Sequence, residues 1–111
     1  MTTLDSAPEG STYEVALSYF DKTLAAMTPT SASWSLFDEE GNVINSRSGV
    51  AITAISTTNM IELAGADLPY IPTQSAVYLV VKMIYTSTFG AGRITYSSFR
   101  IPIEAVKGAT W

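Results

Sequence analysis

Apolar side chains recur at every second position along most of this chain, the spacing of strands with one buried face, and nowhere at helical spacing over a useful length. From Thr12 to Phe20, Tyr13, Val15, Leu17 and Tyr19 fall on one face and Glu14, Ala16 and Ser18 on the other, which predicts a half-buried strand. Thr23 to Met27 contains good helix formers but is short and runs into Pro29, so it reads as a loop or one irregular turn. Ser31 to Phe37 alternates again, with Trp34 and Leu36 set against Ser33 and Ser35. The chain then turns at Asp38-Glu39-Glu40-Gly41-Asn42, where Gly41 accepts a positive φ and Asn42 tolerates one. Val43 to Ser46 returns as the second arm, the clearest hairpin in the sequence.

After the polar turn Arg47-Ser48-Gly49, Val50 to Ser56 alternates, and Met60 to Ala64 supplies a further short strand with Ile61 and Leu63 inward. Gly65 to Gln74, with Pro69 and Pro72, is a loop whose Leu68, Tyr70 and Ile71 are expected to cap one end of the core. Ala76 to Thr86 is apolar on both faces and rich in β-branched and aromatic residues, so it predicts a central strand covered on each side. Phe89-Gly90-Ala91-Gly92 makes the last turn and Arg93 to Ile103 the closing strand, whose end Pro102 places at an edge or outside the sheet. About seven short strands, with turns every ten residues or so, predict an all-β fold: a single antiparallel β-sandwich of immunoglobulin-like size, or alternatively a small β-barrel. The strands occupy residues 12–104, leaving an N-terminal arm, 1–11, and a C-terminal tail, 105–111.

Composition narrows the chemistry. The 111 residues include no Cys and no His, which excludes ordinary zinc and copper sites, a Ser-His-Asp triad, a thiolate nucleophile and a disulfide framework. Six scattered Lys and Arg against ten Asp and Glu leave no patch able to neutralise several phosphates, so nucleic acid is not an expected partner. No segment has the form of a signal peptide or the length of a membrane span, so synthesis in the cytoplasm is expected. Only 14% of residues are charged, against roughly 25% in an ordinary soluble domain. Either Ser and Thr, about a quarter of the chain, solvate the surface, or neighbouring subunits cover part of it.

The candidate chemical constellations are weak. Asp38-Glu39-Glu40 with Asn42 has neither the length nor the spacing of a calcium loop and reads as a solvated hairpin tip. Phe89 to Arg93 is glycine-rich, but strands flank it, whereas a phosphate loop must open a helix. Tyrosines 13, 19, 70, 78, 85 and 96 read mainly as core, with a sugar-stacking platform kept as a second possibility. No catalytic residue, metal ligand or cofactor is expected. The candidate interaction residues are Phe89, Arg93, Tyr70 and Trp111, the last an apolar ring expected either to fold back or to anchor in a neighbour.

The stretch Met27-Thr-Pro-Thr-Ser-Ala-Ser-Trp-Ser-Leu-Phe-Asp-Glu-Glu-Gly-Asn-Val-Ile-Asn-Ser46 resembles a pattern of small immunoglobulin-like proteins of tailed bacteriophages and their prophages. There a Pro-Thr motif precedes a Ser- or Thr-rich strand that ends in Asp-x-x-Gly before a Val-Ile arm. Met83-Ile-Tyr-Thr-Ser-Thr-Phe-Gly-Ala-Gly92 with Phe99-Arg-Ile-Pro-Ile103 is similar to the same family's final hairpin, so the resemblance spans about residues 12–104. It implies a virion structural protein with no catalytic residues, in capsid decoration, a head-to-tail joint, or a tail or fibre attachment. Its partners would be other virion proteins and further copies of itself, with a host-surface glycan possible. The strands at Val50 to Ser56 and Met60 to Ala64 carry one charge between them, Glu62, and edges so lightly guarded suit an assembly. Residues 1–11, which lack periodicity, are expected to extend across a partner. A carbohydrate- or ligand-binding module is the alternative, and would show at least two aromatic side chains exposed together. An enzyme would need two convergent carboxylates in a cleft.

Overall fold

The computed structural model describes residues 2–20, 25–70, 76–87 and 90–104, and among them there is no helix. Eight strands form two sheets. They are β1 (Thr2–Thr3), β2 (Ala7–Pro8), β3 (Gly10–Ser18), β4 (Ser31–Phe37), β5 (Val50–Ala51), β6 (Thr58–Gly65), β7 (Ala76–Ser87) and β8 (Gly90–Glu104). One sheet has the order β1-β8-β7-β4-β5, with β2 also paired to β8; the other is β3 with β6.

The alternation read from the sequence decides which faces meet. Val15 and Leu17 of β3 and Ile61 and Leu63 of β6 point inward, toward Trp34 and Leu36 of β4, Val77, Leu79 and Val81 of β7, and Ile101 and Ile103 of β8. Together they make one core between two sheets, the arrangement of a sandwich, and the sheets do not join into a closed barrel. Leu68 closes one end of this core, whereas Tyr70, expected beside it, is 42% exposed, and Ile71 lies outside the described residues.

The sheets are mixed rather than wholly antiparallel. β1 runs parallel to β8 with Thr2 and Thr3 opposite Phe99 and Arg100, and β2 runs parallel to it with Ala7 and Pro8 opposite Ile103 and Glu104. The segment expected to reach across a partner therefore lies along its own chain: Ala7 is fully buried, and the Tyr13 hydroxyl donates to the Asp5 carbonyl at 2.7 Å. At Gly10, φ of 68° turns the chain out of the large sheet into the small one. Pro102 does not end its strand. The Arg100 and Glu104 carbonyls accept from Leu4 and Glu9, so Pro102 faces the same segment, at the gap between β1 and β2 where no donor is needed.

Two other expected strands are shorter. The turn after β4 forms with Gly41 at φ 85°, but the returning arm is reduced to a Phe37–Val43 bridge and one bond from Ile44 to Leu36. Asn45 and Ser46 then take left-handed φ of 51° and 56°, and Val50–Ala51 replaces that arm as the partner of Ser33 and Trp34. The alternation from Val50 to Ser56 yields only those two paired residues, because Ala54 has φ 52° and breaks the extension. β7 is central as expected, but the layer β3–β6 covers one of its faces and, among the described residues, no second layer covers the other. The final turn is a hairpin with Ser87 opposite Gly90, and an extra residue on β8 between Gly90 and Arg93 makes a bulge where Gly92 has φ 72°.

Candidate functional site

The outer face of the large sheet is left open among the described residues. Cross-strand register sets it out in rows: Phe37, Tyr78 and Arg100; Ser35, Val80 and Ser98; Ser33, Lys82 and Tyr96; Ser31, Ile84 and Ile94. These positions are outward because their neighbours along each strand, such as Trp34, Leu36, Leu79 and Ile101, fill the core. Lateral neighbours half-bury Val80, Lys82 and Ile84, while Tyr96 is 63% and Ile94 50% exposed. The strand positions of this patch carry two cations and no carboxylate.

The opposite face of the sandwich, on β3 and β6, has the other sign. Thr12, Glu14, Ala16 and Ser18 face outward, against Ala64, Glu62, Met60 and Thr58. Glu14 stands directly across from Glu62, a juxtaposition of like charges that weakens a strand pair. Met60 beside them is 59% exposed.

The free edge of β6 is better guarded than its lack of charge suggests. The Ala64 N–H donates to Asp67 Oδ2 at 3.2 Å, and at the other end Ser56 Oγ donates to the Thr58 carbonyl at 3.0 Å and accepts from its N–H at 3.3 Å. By the two-residue alternation, only Met60 and Glu62 still present main-chain groups to a newcomer. Side-chain caps here replace the lysines that usually blunt an edge.

Asp67, which sequence reasoning left as an ordinary loop residue, is the most constrained polar group described. It is 1% exposed, and its Oδ1 accepts from Asn45 Nδ2 at 2.8 Å and from Arg47 Nε at 2.9 Å. Burial pushes its carboxyl up, but the hydrogen bonds from Arg47, Asn45 and the Ala64 N–H, with the Arg47 charge, outweigh that and hold it below the usual carboxylate range. Arg47 in turn lies 5.8 Å above the Trp34 ring centre. With both oxygens engaged, this carboxylate serves the fold and is not offered to a substrate. Asp38 is likewise held low, chiefly by the Asn42 N–H and also by that of Glu40, each 2.9 Å from Oδ1, so its charge closes its own turn.

A groove of about 280 Å³ opens between the end of β3 and the inner side of the β7–β8 ribbon, lined by Leu17, Tyr19, Val81, Met83, Thr95 and Ser97 among others. The Tyr19 hydroxyl is buried there without a hydrogen-bond partner, and burial raises its pKa. The lining holds no carboxylate, amine or guanidinium, and its ionisable group is the Tyr19 phenol. Among the described residues no cluster of three Asp or Glu is placed to hold a metal, and no helix is long and apolar enough to cross a membrane.

The four residues singled out from sequence do not form one site. Tyr70 lies two residues past Leu68, whose carbonyl accepts from Gly10, at the end of the sandwich where Glu104 meets Glu9. Arg93 is exposed beyond the bulge, eleven residues before Glu104 and so about 35 Å away along β8. Phe89 and Trp111 lie outside the described residues. Of the six tyrosines, only Tyr19 is a buried core residue; Tyr70 and Tyr96 are exposed and the others half-buried. The outward register of Lys82, Tyr96 and Ile94 was available in the alternation of β7 and β8, but not the fact that nothing among the described residues covers them. No protein-family model, no curated protein and no solved structure matches this chain.

Proposed function

We propose that the chain is a non-enzymatic structural subunit of a tailed-bacteriophage virion, an immunoglobulin-like sandwich that acts through contacts with neighbouring subunits. The observation that carries this reading is the uncovered outer face of the large sheet, where Ile94 and Tyr96 stand exposed in a field of Ser, Val and Ile with few charges. The motifs from Met27 to Ser46 and from Met83 to Ile103 supply the resemblance to phage proteins. The test is native mass spectrometry of the purified chain with and without the products of neighbouring genes, alongside co-sedimentation with particles. A stoichiometric complex with a virion component is expected, and a chain that binds none of them overturns the reading.

One observation favours a carbohydrate-binding module as the second reading: Tyr96, Tyr78 and Phe37 share the open face. Glycan-array binding that Tyr96→Ala abolishes, with no virion complex, would establish it instead.

A further inference from the structure

We propose that copies of this chain stack head to tail, the outer face of β3 and β6 on one copy against the outer face of β4, β7 and β8 on the next. The inference deepens the subunit reading by naming a partner and both surfaces. Its basis is the complementarity of two faces on opposite sides of the sandwich. One presents Glu14 and Glu62 side by side, with no cation paired to either among the described residues. The other presents Lys82 at its centre and Arg100 further along, and its one strand carboxylate, Glu104, stands at the last position of β8, about 25 Å along the strand from Tyr96. Arg100 has contacts of its own within the chain, so the contact turns on Lys82.

The apolar residues match as the charges do. Met60, 59% exposed, lies beside the glutamates, and Ile94 and Tyr96 flank Lys82. Packing two sheets about 10 Å apart buries these side chains against one another and brings the ammonium to the paired carboxylates. Across such an interface the Glu14–Glu62 repulsion, a cost to the isolated chain, becomes an attraction. Because the two faces differ and lie on opposite sides, the contact is heterologous and repeats, giving a ring or a filament according to the rotation at each step. Caps on the β6 edge argue that association proceeds through faces rather than by strand addition.

A face only two strands wide is small, placing the contact near the lower limit of specific interfaces, about 1,000 Å² in total. Association of the free chain is therefore weak, and sedimentation velocity should be run up to about 0.5 mM, where a contact of this size registers. Concentration-dependent association is expected, weakened at about 0.5 M NaCl. Lys82→Glu should weaken it about tenfold or more. The Glu14→Lys/Glu62→Lys chain should also be monomeric, with a like-charge pair of opposite sign in place of the first, whereas Glu14→Gln/Glu62→Gln removes the repulsion and should melt about 2 °C higher. Mixing the Lys82→Glu chain with the Glu14→Lys/Glu62→Lys chain should restore association, because each then offers the face that the other lacks. If Lys82→Glu melts early, Glu14→Gln/Glu62→Gln reads the same contact from the other side. A wild-type chain that stays monomeric at the highest concentration, association indifferent to these charges, or a mixture that stays apart would each overturn the stacking. A monomer that still binds a virion component would do so while leaving the subunit reading in place.

Discussion

Asp67 and the pair Glu14–Glu62 are carboxylates in or beside the same strand, β6, yet their surroundings treat them in opposite ways. Asp67 follows the strand and turns in, where Asn45, Arg47 and the Ala64 N–H fill its acceptor positions. Glu14 and Glu62 stand on the outer face, each opposite another negative charge. The chain thus supplies partners for Asp67, the charge it buries, and no cation among the described residues for Glu14 and Glu62. A mutation at the first site should be read in stability, and one at the second in association.

The largest expected effect is at Asp67. Replacing it with Ala strips the Ala64 N–H, Asn45 and Arg47 of their common acceptor and opens the link between the 38–49 loop and the end of β6. Arg47 is itself partly exposed, so it regains water, and the cost falls at the lower end of the range for a broken buried pair, about 3 kcal/mol. For a chain of this size that is a fall of about 12 °C in melting temperature by calorimetry. The acid limb of stability carries the same signature. A carboxylate held below its unfolded value of about 3.9 contributes stability that is fully present above that value and is lost as the pH falls through the lower folded one. Wild type should therefore lose stability below about pH 4 more steeply than Asp67→Asn, which has no proton to take up there. Parallel acid limbs would show that Asp67 is an ordinary loop carboxylate and dissolve the contrast with the glutamates.

That contrast was only half legible in the sequence, for a physical reason. Where a strand has one buried face, burial forces a two-residue rhythm, so Val15, Leu17, Trp34, Leu36, Ile61 and Leu63 could be assigned to the core from pattern alone. Asp67 has no such rhythm. Its partners Asn45 and Arg47 lie 22 and 20 residues away, and an Asp in a Gly- and Pro-bearing loop looks like any turn residue. The same long-range tie explains the misjudged hairpin arm: the turn at Gly41 was local and readable, whereas the left-handed Asn45 that reaches Asp67 was not. β1 and β2, two residues each, leave no period at all, and their parallel pairing with β8 depends on a strand nearly a hundred residues later. The run from Ala76 to Thr86 is apolar on both faces, which predicts a shield on each, yet among the described residues only β3 and β6 shield one of them.

Tyr19 stands between the two regions, since its hydroxyl is neither satisfied like Asp67 nor exposed like the glutamates. An unpartnered buried hydroxyl bears its desolvation cost with no bond in return, so Tyr19→Phe should stabilise the chain by about 1 kcal/mol, read as a melting temperature about 4 °C higher. A loss of stability would reveal a partner for the phenol, and the groove beside it would then belong with the satisfied interior.

The smallest expected change is the one that most sharply separates the regions. Ile94 and Tyr96 are large side chains on β8, but they lie outside the core, and their exposure means that folding alone gains little from them. The double substitution Ile94→Ser/Tyr96→Ser should leave the unfolding free energy within about 0.5 kcal/mol of wild type in urea titration, with an unchanged m-value. A cost of the size found for buried apolar residues, about 2 kcal/mol or more, would mean that the face is covered within the chain after all. Near-neutrality paired with loss of association would show instead that these positions are kept apolar for a neighbour, because an apolar side chain that adds nothing to its own fold lowers solubility unless another surface takes it out of water.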